Sequence, residues 1–296
     1  MTASELHERN LEYRKTLKER RRIVVKVGSS SLLHADTGRM DYRQLDHLAR
    51  ELSNIKNGGR EVILVSSGAT AVGREVISLE RRHLEEDSKI TVKQACAAIG
   101  QARLMMLYQK FFNDYNQISG QVLMTRNTVT NVLSNYNIRN TFAELLKLGV
   151  IPIVNENDSV ATYEYSVGDN DNLSAMVCSL VGADLLILLS DIDGLYTDDP
   201  RRCAQAEFVE YVDALTPDML QMGKESTGSS SGTGGMSTKL NAALIATRSG
   251  CDMIIASSAD LHVLDDIMEG RNVGTLFRAS RDTGFDLQEY IASTME

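Results

Sequence analysis

Five short apolar runs, rich in β-branched residues, constrain the fold of this chain more than any other feature. They are IVVKV (23–27), EVILV (61–65), VIPIV (150–154), DLLILL (184–189) and DMIIA (252–256). Apolar runs of this length are typical of strands that are buried on both faces of a sheet. The segments between them carry apolar residues at helical spacing, as at Leu45, Leu48, Ala49, Leu52 and Ile55, and again at Val92, Ala95, Cys96 and Ile99. The alternation predicts an α/β fold, a three-layer αβα sandwich with a mainly parallel central sheet.

The residues that follow each of these strands are small or polar. The five segments read GSSS, SSGAT, NENDSV, SDIDG and SSAD in chain order. Ligands of open parallel sheets bind beyond the carboxyl ends of the strands, which meet at one edge. A single such turn could be ordinary loop chemistry, but five of them predict a long polar crevice at that edge.

Composition excludes several classes of protein. The 296 residues carry a net charge of -9, which argues against a general nucleic-acid binder. The N-terminal segment has no apolar core for a secretory signal, and no run approaches the roughly 18 apolar residues of a membrane span. Its basic run KERRR, from Lys18 to Arg22, indicates a solvated helix face. Four scattered cysteines and five histidines without ligand spacing indicate a reducing, cytoplasmic location and no structural zinc.

Two lysines lie next to glycine and hydroxyl residues. Lys26 lies within the strand VVKVG and is followed by three serines, so it is either an edge-strand lysine facing water or a partner for a buried anion. Lys239 follows GTGGMST and opens an apolar helix, where a flexible linker would need neither lysine nor helix. Neither segment fits G-x-x-x-x-G-K-[ST] or G-x-G-x-x-G. Both nevertheless contain the glycine, the hydroxyl residues and the lysine that a phosphate-binding turn uses.

Acidic and amide residues form a third cluster. NENDSVAT contains Asn155, Asn157 and Asp158, and VGDNDNLSA contains the run 169–172. One residue of that run suffices to cap the following helix, so the others could bind an amine, hold Mg²⁺ or position the lysines. A paired-carboxylate hydrolase would leave both glycine-rich segments unexplained. Two lysines, two such segments and an organising aspartate fit phosphoryl transfer.

The chain resembles the amino-acid kinase superfamily, and within it the glutamate 5-kinases, over roughly residues 22 to 277. The resemblance rests on ordered blocks that include VVKVGSSSL, VSSGATAVGRE, KQACAAIGQARLM, VIPIVNENDSVAT, VGDNDNLSA, LLSDIDGLYTDDPR and GTGGMSTKLNAA. It implies ATP-dependent phosphorylation of the side-chain carboxylate of L-glutamate, the first step of proline synthesis. Mg²⁺ would be bound with ATP, and no organic cofactor or protein metal ligand is implied.

The resemblance also implies roles for particular residues. Lys26 and Lys239 would flank the transferring phosphoryl group, and Asp171 would hold both lysines. Glutamate would be bound by Ser67, Gly68, Asp158, Asp169 and Asn170. ATP would be bound by Lys26, Gly28, Ser29, Ser190, Asp191, Thr233, Gly234, Gly235, Met236, Ser237, Thr238 and Lys239.

The same resemblance implies an organisation and a set of partners. Residues 1–21 would form a polar extension without a catalytic role, 22–279 the kinase domain and 280–296 a tail, without a PUA domain. Within the kinase domain, glutamate would bind to about 22–175 and the nucleotide to about 176–279. Proline is expected as a feedback inhibitor and a homodimer or homotetramer as the assembly, with no nucleic-acid or membrane partner. The alternatives are another carboxylate or carbamate kinase of the same fold, and a binding protein that has lost catalysis. The second would require damage to Lys26, Asp171 or Lys239, all of which are intact.

Overall fold

A mixed sheet forms the centre of the molecule. The computed structural model describes residues 2–80, 90–161, 169–198, 200, 203, 205–225 and 235–293. In this part of the chain the sheet has eight strands, namely β1 (Arg22–Val27), β2 (Glu61–Ser66), β3 (Ser119–Met124), β4 (Ile151–Glu156), β5 (Leu185–Ser190), β8 (Tyr211–Val212), β9 (Asp252–Ser257) and β10 (Thr275–Phe277). Their order across the sheet is β3-β4-β2-β1-β5-β9-β10-β8. The strands from β3 to β9 in this order are parallel, whereas β10 is antiparallel to β9. A separate two-stranded ribbon pairs β6 (Leu195–Tyr196) with β7 (Phe208–Val209).

Helices cover both faces of the sheet. In chain order they are α1 (Ala3–Arg14), α2 (Tyr42–Asn57), α3 (Ala69–Glu80), α4 (Ile90–Asp114), α5 (Arg126–Thr130), α6 (Val132–Lys147), α7 (Asn170–Val181), α8 (Pro217–Glu225), α9 (Met236–Arg248), α10 (Val263–Met268) and α11 (Leu287–Ser293), with short 3-10 helices at Lys15–Glu19 and Ser29–Ser31. One core contains α6, α7, α9 and α11, and the other contains α2, α3, α4 and α10. The predicted three-layer αβα fold is therefore confirmed. None of the described helices combines the length and apolarity required to cross a bilayer.

The alternation of side chains along β1 determines on which face of the sheet Lys26 lies. Val24 belongs to the core that contains α7 and α9, whereas Ile23, Val25 and Val27 belong to the other core. Successive side chains of a strand point to opposite faces, so Lys26 lies on the same face as Val24. Lys26 therefore points toward α7 and α9.

The buried face of α4 differs from the predicted one. The helix itself is confirmed, and Cys96 is buried, but Ala95 is exposed and Ile99 is 42% exposed. The reason is a close contact between α3 and α4, because a Cβ at Gly100 would lie 1.7 Å from the Ala69 carbonyl oxygen. A Cβ at Gly73 would likewise lie 1.8 Å from the Cys96 carbonyl oxygen. The two helices touch backbone to backbone, which turns a different face of α4 toward the core.

The N-terminal segment packs against the sheet edge formed by β9, β10 and β8. The Arg14 side chain has no solvent exposure, and its guanidinium donates to four backbone carbonyls, those of Glu210, Arg271, Val273 and Gly274. Leu17 is also fully buried. The interpretation of KERRR as a solvated helix face is wrong in part, because Arg20 pairs with the buried Asp252 carboxylate at 2.8 Å. Polar composition did not reveal this packing, since the buried polar groups bond to distant carbonyls and carboxylates.

Candidate active site

Two lysines share one buried carboxylate at the carboxyl end of β1. Lys26 Nζ lies 2.6 Å from Asp171 Oδ1, and Lys239 Nζ donates to Asp171 Oδ2 at 3.1 Å. The three side chains are between 1% and 9% exposed. Charged groups are this deeply buried only when they are paired. Asp171 therefore fixes the two ammonium groups on either side of it.

The first turns of α7 and α9 meet at this carboxylate. Asp169 caps α7 by accepting a hydrogen bond from the Asp171 N–H, and Asp171 lies in the first turn of the helix. Gly235 is the N-cap of α9, and Thr238 Oγ1 lies 3.5 Å from Asp171 Oδ2. The first turn of a helix has N–H groups without intrahelical acceptors and carries partial positive charge. Two lysines and two helix N-termini thus create an environment that attracts an anion.

The pKa values of the two aspartates at the start of α7 are shifted in opposite directions. Burial tends to raise the pKa of Asp171, but Lys26 and Lys239 outweigh burial and lower it. Burial and the negative charge of Asp171 raise the pKa of Asp169. Asp169 is only 8% exposed, and its Oδ2 has no hydrogen-bond partner within the described ranges. The two lysines therefore favour the anionic form of Asp171, whereas Lys26 and Thr238 lower the pKa of Asp169 by less than burial and Asp171 raise it.

An amide network links α7 to the strand ends beside the lysines. Asn170 Nδ2 donates to Ser67 Oγ at 2.7 Å and to Asn155 Oδ1 at 3.1 Å. Asn155 Nδ2 in turn donates to Gln101 Oε1 at 2.9 Å. Asn155 and Gln101 were absent from the predicted site. Asn155 stood in the polar run that follows the apolar residues 150–154 and lies within β4, whereas Gln101 lies in a helix whose sequence contained no signal for it.

The other predicted glutamate-binding residues lie in the turns beside this network. Gly68 follows Ser67 and has a φ of 104°, a left-handed conformation that favours glycine. A Cβ at Gly68 would lie 3.6 Å from Ser29 Cβ, so the turns after β1 and β2 touch. Asp158 lies in the turn after β4, where burial raises its pKa. The structure gives no hydrogen bond between Asp158 and Asn170 among the described contacts.

The predicted ATP-binding residues lie on both sides of Lys26. A Cβ at Gly28 would lie 3.6 Å from Lys26 Nζ, so the turn that contains Ser29 passes directly over the ammonium group. Ser190 ends β5, next to β1, and donates to Asp191 Oδ1 at 3.1 Å. The described part of the α9 turn comprises Gly235, Met236, Ser237, Thr238 and Lys239, all at the same edge. Thr233 and Gly234 lie outside the described residues.

The fold and this cleft together define a class of protein. It is an open α/β sheet with an anion-attracting cleft at the carboxyl ends of its parallel strands, as phosphoryl-transfer enzymes use. The model of the family described as "Amino acid kinase family" matches residues 21–257. The chain is 46% identical over 272 residues to the glutamate 5-kinase of Clostridium perfringens, covering 90% of this chain and 99% of that protein. It is 48% identical over 264 residues to the glutamate 5-kinase of Carboxydothermus hydrogenoformans, covering 89% and 69%. The chain belongs to the amino acid kinase family and, within it, to the glutamate 5-kinases.

Solved structures of the same fold agree with this assignment at the level of architecture. The UMP kinase from Bacillus anthracis superimposes with a TM-score of 0.62 at 17% identity, covering 88% of this chain and 97% of that one. An isopentenyl phosphate kinase superimposes with a TM-score of 0.58, also at 17% identity, covering 86% and 99%. At this identity the likeness concerns the fold alone.

Proposed function

We propose that this chain transfers the γ-phosphate of ATP to the side-chain carboxylate of L-glutamate and so begins proline synthesis. The observation that carries the proposal is the Asp171 carboxylate, which holds Lys26 and Lys239 on either side of one point. Phosphoryl transfer needs charge stabilisation and alignment more than it needs a nucleophile from the protein. The names of the curated relatives supply the substrate, since the cleft geometry alone specifies an anion.

The transfer would proceed in one direct step. A γ-carboxylate oxygen of glutamate attacks the γ-phosphorus of ATP, the bond to the bridging oxygen breaks, and ADP leaves with the electron pair. Lys26 and Lys239 would stabilise the charge on the phosphoryl oxygens, while Asp171 keeps both ammonium groups in place. The first-turn N–H groups of α9, from Met236 to Thr238, would face the nucleotide phosphates.

Glutamate would lie on the side of the cleft that carries the amide network. Asn170 and Ser67 offer neutral hydrogen-bonding groups to a carboxylate, and Asp158 and Asp169 offer acceptors to its ammonium group. Binding of that ammonium group would also bring a donor and a further positive charge to Asp169 Oδ2, which has no hydrogen-bond partner within the described ranges. Gln101 and Asn155 would fix the orientation of Asn170.

Mg²⁺ would accompany the nucleotide. Among the described residues, the cleft has no cluster of three ligating groups close enough to bind a metal by themselves. Asp171 is engaged by both lysines. The residues therefore fit an ion that is held by phosphate oxygens and water, since Mg²⁺ dehydrates reluctantly and keeps several of its waters when it binds. Such an ion would neutralise charge on the phosphates during transfer.

Three further features belong to the proposal. Proline shares the carboxylate and amine of glutamate, so it could occupy the same residues and inhibit by competition. Self-association as a homodimer or homotetramer is supported by apolar side chains exposed around the β3 end of the sheet, namely Ile99, Met106, Ile118, Val132, Leu133 and Tyr136. A cytoplasmic location is supported by the cysteines, which are all free.

Trapping of the acyl phosphate tests the function directly. Hydroxylamine converts the product to a hydroxamate, and the assay is run with glutamate, N-acetylglutamate, aspartate and carbamate in separate reactions. Signal with glutamate alone, suppressed by proline, is the expected result. Signal with another acid but not with glutamate would overturn the substrate while leaving phosphoryl transfer in place, and silence with all four would overturn both.

A further inference from the structure

A second polar cluster lies between α2 and α10 and has no part in the proposed reaction. It consists of Glu51, His262 and Asp265, whose ligating atoms all lie within 4.8 Å of one another. Glu51 lies on α2, His262 immediately precedes α10, and Asp265 lies in the first turn of α10. The fold thus brings together one imidazole and two carboxylates from distant parts of the sequence.

Glu51 is the unusual member of this cluster. Its side chain is 2% exposed, and its Oε1 accepts from Arg50 at 3.0 Å. Its Oε2 is buried and has no hydrogen-bond partner in the described part of the chain. A buried carboxylate oxygen without a donor is costly, so a missing positive group is expected at Oε2.

The groups around Glu51 agree with this expectation. Asp265 faces the Glu51 carboxylate, and its pKa is raised by burial and then by the negative charge of Glu51. His262 Nδ1 lies 3.7 Å from Glu51 Oε1. Arg50 pairs with Glu51 and Arg271 pairs with Glu269, whereas Asp265 has no lysine or arginine partner among the described residues. Two facing carboxylates either share a proton or bind a cation.

We propose that Glu51, His262 and Asp265 bind a divalent transition-metal ion, such as Zn²⁺, at a site separate from the cleft. The donor set is one imidazole nitrogen and two carboxylate oxygens. Zn²⁺ accepts this combination with bonds of about 2.0–2.2 Å, whereas Mg²⁺ and Ca²⁺ prefer oxygen donors alone. His262 is 62% exposed, so its ring can rotate toward the carboxylates and the ion can enter from solvent.

The ion would connect α10 to α2 and thereby stabilise the loop that precedes α10. That loop begins at Ser258, whose N–H donates to the Ser190 carbonyl and whose hydroxyl accepts from Ser31 Oγ, both at 2.7 Å. Ser190 is one of the residues proposed to bind ATP. The site therefore lies outside the cleft but next to a loop that borders it.

Metal binding can be measured without nucleotide or turnover. The full-length protein is stripped with EDTA, and Zn²⁺ is titrated calorimetrically with ATP and glutamate absent. Co²⁺ is added in parallel, because its visible absorption reports a nitrogen and oxygen ligand set. One ion per chain and a Zn²⁺-dependent rise in Tm are the expected results.

The two ligands that are not buried, His262 and Asp265, supply the variants, and a second histidine supplies the control. His262→Asn and Asp265→Asn should each raise the Kd for Zn²⁺ at least tenfold and abolish the rise in Tm. The matched control is His34→Asn, because His34 Nδ1 also lies near a carboxylate, 3.5 Å from Asp41 Oδ2, but belongs to no cluster of three ligating groups among the described residues. The Kd of His34→Asn for Zn²⁺ should equal that of the unmodified protein. No Zn²⁺ binding, or equal binding by His262→Asn and the unmodified protein, would overturn the site in favour of a proton shared by Glu51 and Asp265.

Discussion

Lys26 and Lys239 bind the two oxygens of the same carboxylate, although one comes from the first strand and the other from a helix near the end of the chain. Neither lysine occupies its position by local geometry alone. Strand β1 directs Lys26 toward the helical layer that contains α7 and α9. Asp171 then determines the separation of the two ammonium groups. The spacing of the charges that would face the phosphoryl group is thus a property of the whole fold.

Lys239→Ala should reduce kcat in the hydroxamate assay by about 10²–10³-fold, the usual loss on removal of one stabilising group from a transition state. The Asp171 carboxylate keeps its pairing with Lys26, so the far-ultraviolet circular dichroism should remain that of a folded protein. The matched control is Lys147→Ala, since Lys147 is 76% exposed and forms only a surface pair with Glu144. Unchanged turnover by Lys239→Ala would remove this lysine from the reaction.

Asn170→Ala should raise the KM for glutamate about tenfold while changing the KM for ATP little. The reason is that loss of one hydrogen bond to a charged ligand is worth about 1.5 kcal/mol or more. The two constants are measured with the other substrate saturating. Asn172→Ala serves as the control, because Asn172 lies on the same turn but bonds to Asn241. An equal rise in both KM values would place Asn170 outside the glutamate site.

Asp169→Asn should stabilise the ligand-free protein at neutral pH. The folded-state pKa of Asp169 is raised, so the native state binds more protons than the unfolded state as pH rises through the interval between the two pKa values. Stability conferred by this group therefore falls as pH increases across that interval, and the penalty is complete above the folded-state pKa.

Thermal unfolding of Asp169→Asn should be compared with the unmodified protein between pH 4 and pH 8. The variant should have the higher Tm at pH 8, and the difference should shrink toward the ordinary pKa of Asp, about 3.9. Asparagine also caps helices well, so the start of α7 should be preserved. A lower Tm at pH 8, or a difference independent of pH, would contradict a net penalty for the charged form of Asp169.

Arg14→Ala should lower the free energy of unfolding by about 3–5 kcal/mol, because it leaves several buried carbonyls without donors. Denaturant unfolding measures the loss. Arg9→Ala is the control, since Arg9 is 43% exposed and forms a surface pair with Asp213, which is worth about 1 kcal/mol or less. Equal small effects of both substitutions would show that the N-terminal segment contributes little to stability.

Leu133→Asp should convert the proposed assembly to monomers while leaving the Tm of the monomer nearly unchanged. Leu133 is 68% exposed, so its replacement removes no core packing but puts a charge among the apolar side chains at the β3 end of the sheet. Light scattering after size-exclusion chromatography gives the mass. Asn140→Asp adds the same charge elsewhere on α6 and should leave the mass unchanged. A monomeric unmodified protein would contradict self-association altogether.

The sequence predicted the parts of the fold that depend on local patterns. The five central strands, the polar edge and the family are confirmed, because apolar runs and the residues that end them are encoded within a few positions. The strands β3, β8 and β10 were missed, since β3 has only two buried side chains and the other two are two and three residues long.

Features that depend on distant partners could not be predicted in this way. The burial of Arg14 requires carbonyls that lie 196 to 260 positions away. Gln101 becomes part of the amide network only when α4 packs beside β4. The histidines lack ligand spacing along the chain, yet folding brings His262 to Glu51. In each case the partner of a polar group determines its role, and periodicity contains no information about that partner.

The contact between α3 and α4 has a consequence for how freely this sequence can vary. A methyl group at position 73 or 100 would overlap a carbonyl oxygen of the other helix, so in a library randomised at both positions only glycine should survive selection for growth without proline. Because α3 begins directly after Ser67 and Gly68, a bulkier residue at position 73 or 100 would displace α3 and disturb the amide network, although neither glycine is among the residues proposed to bind a substrate.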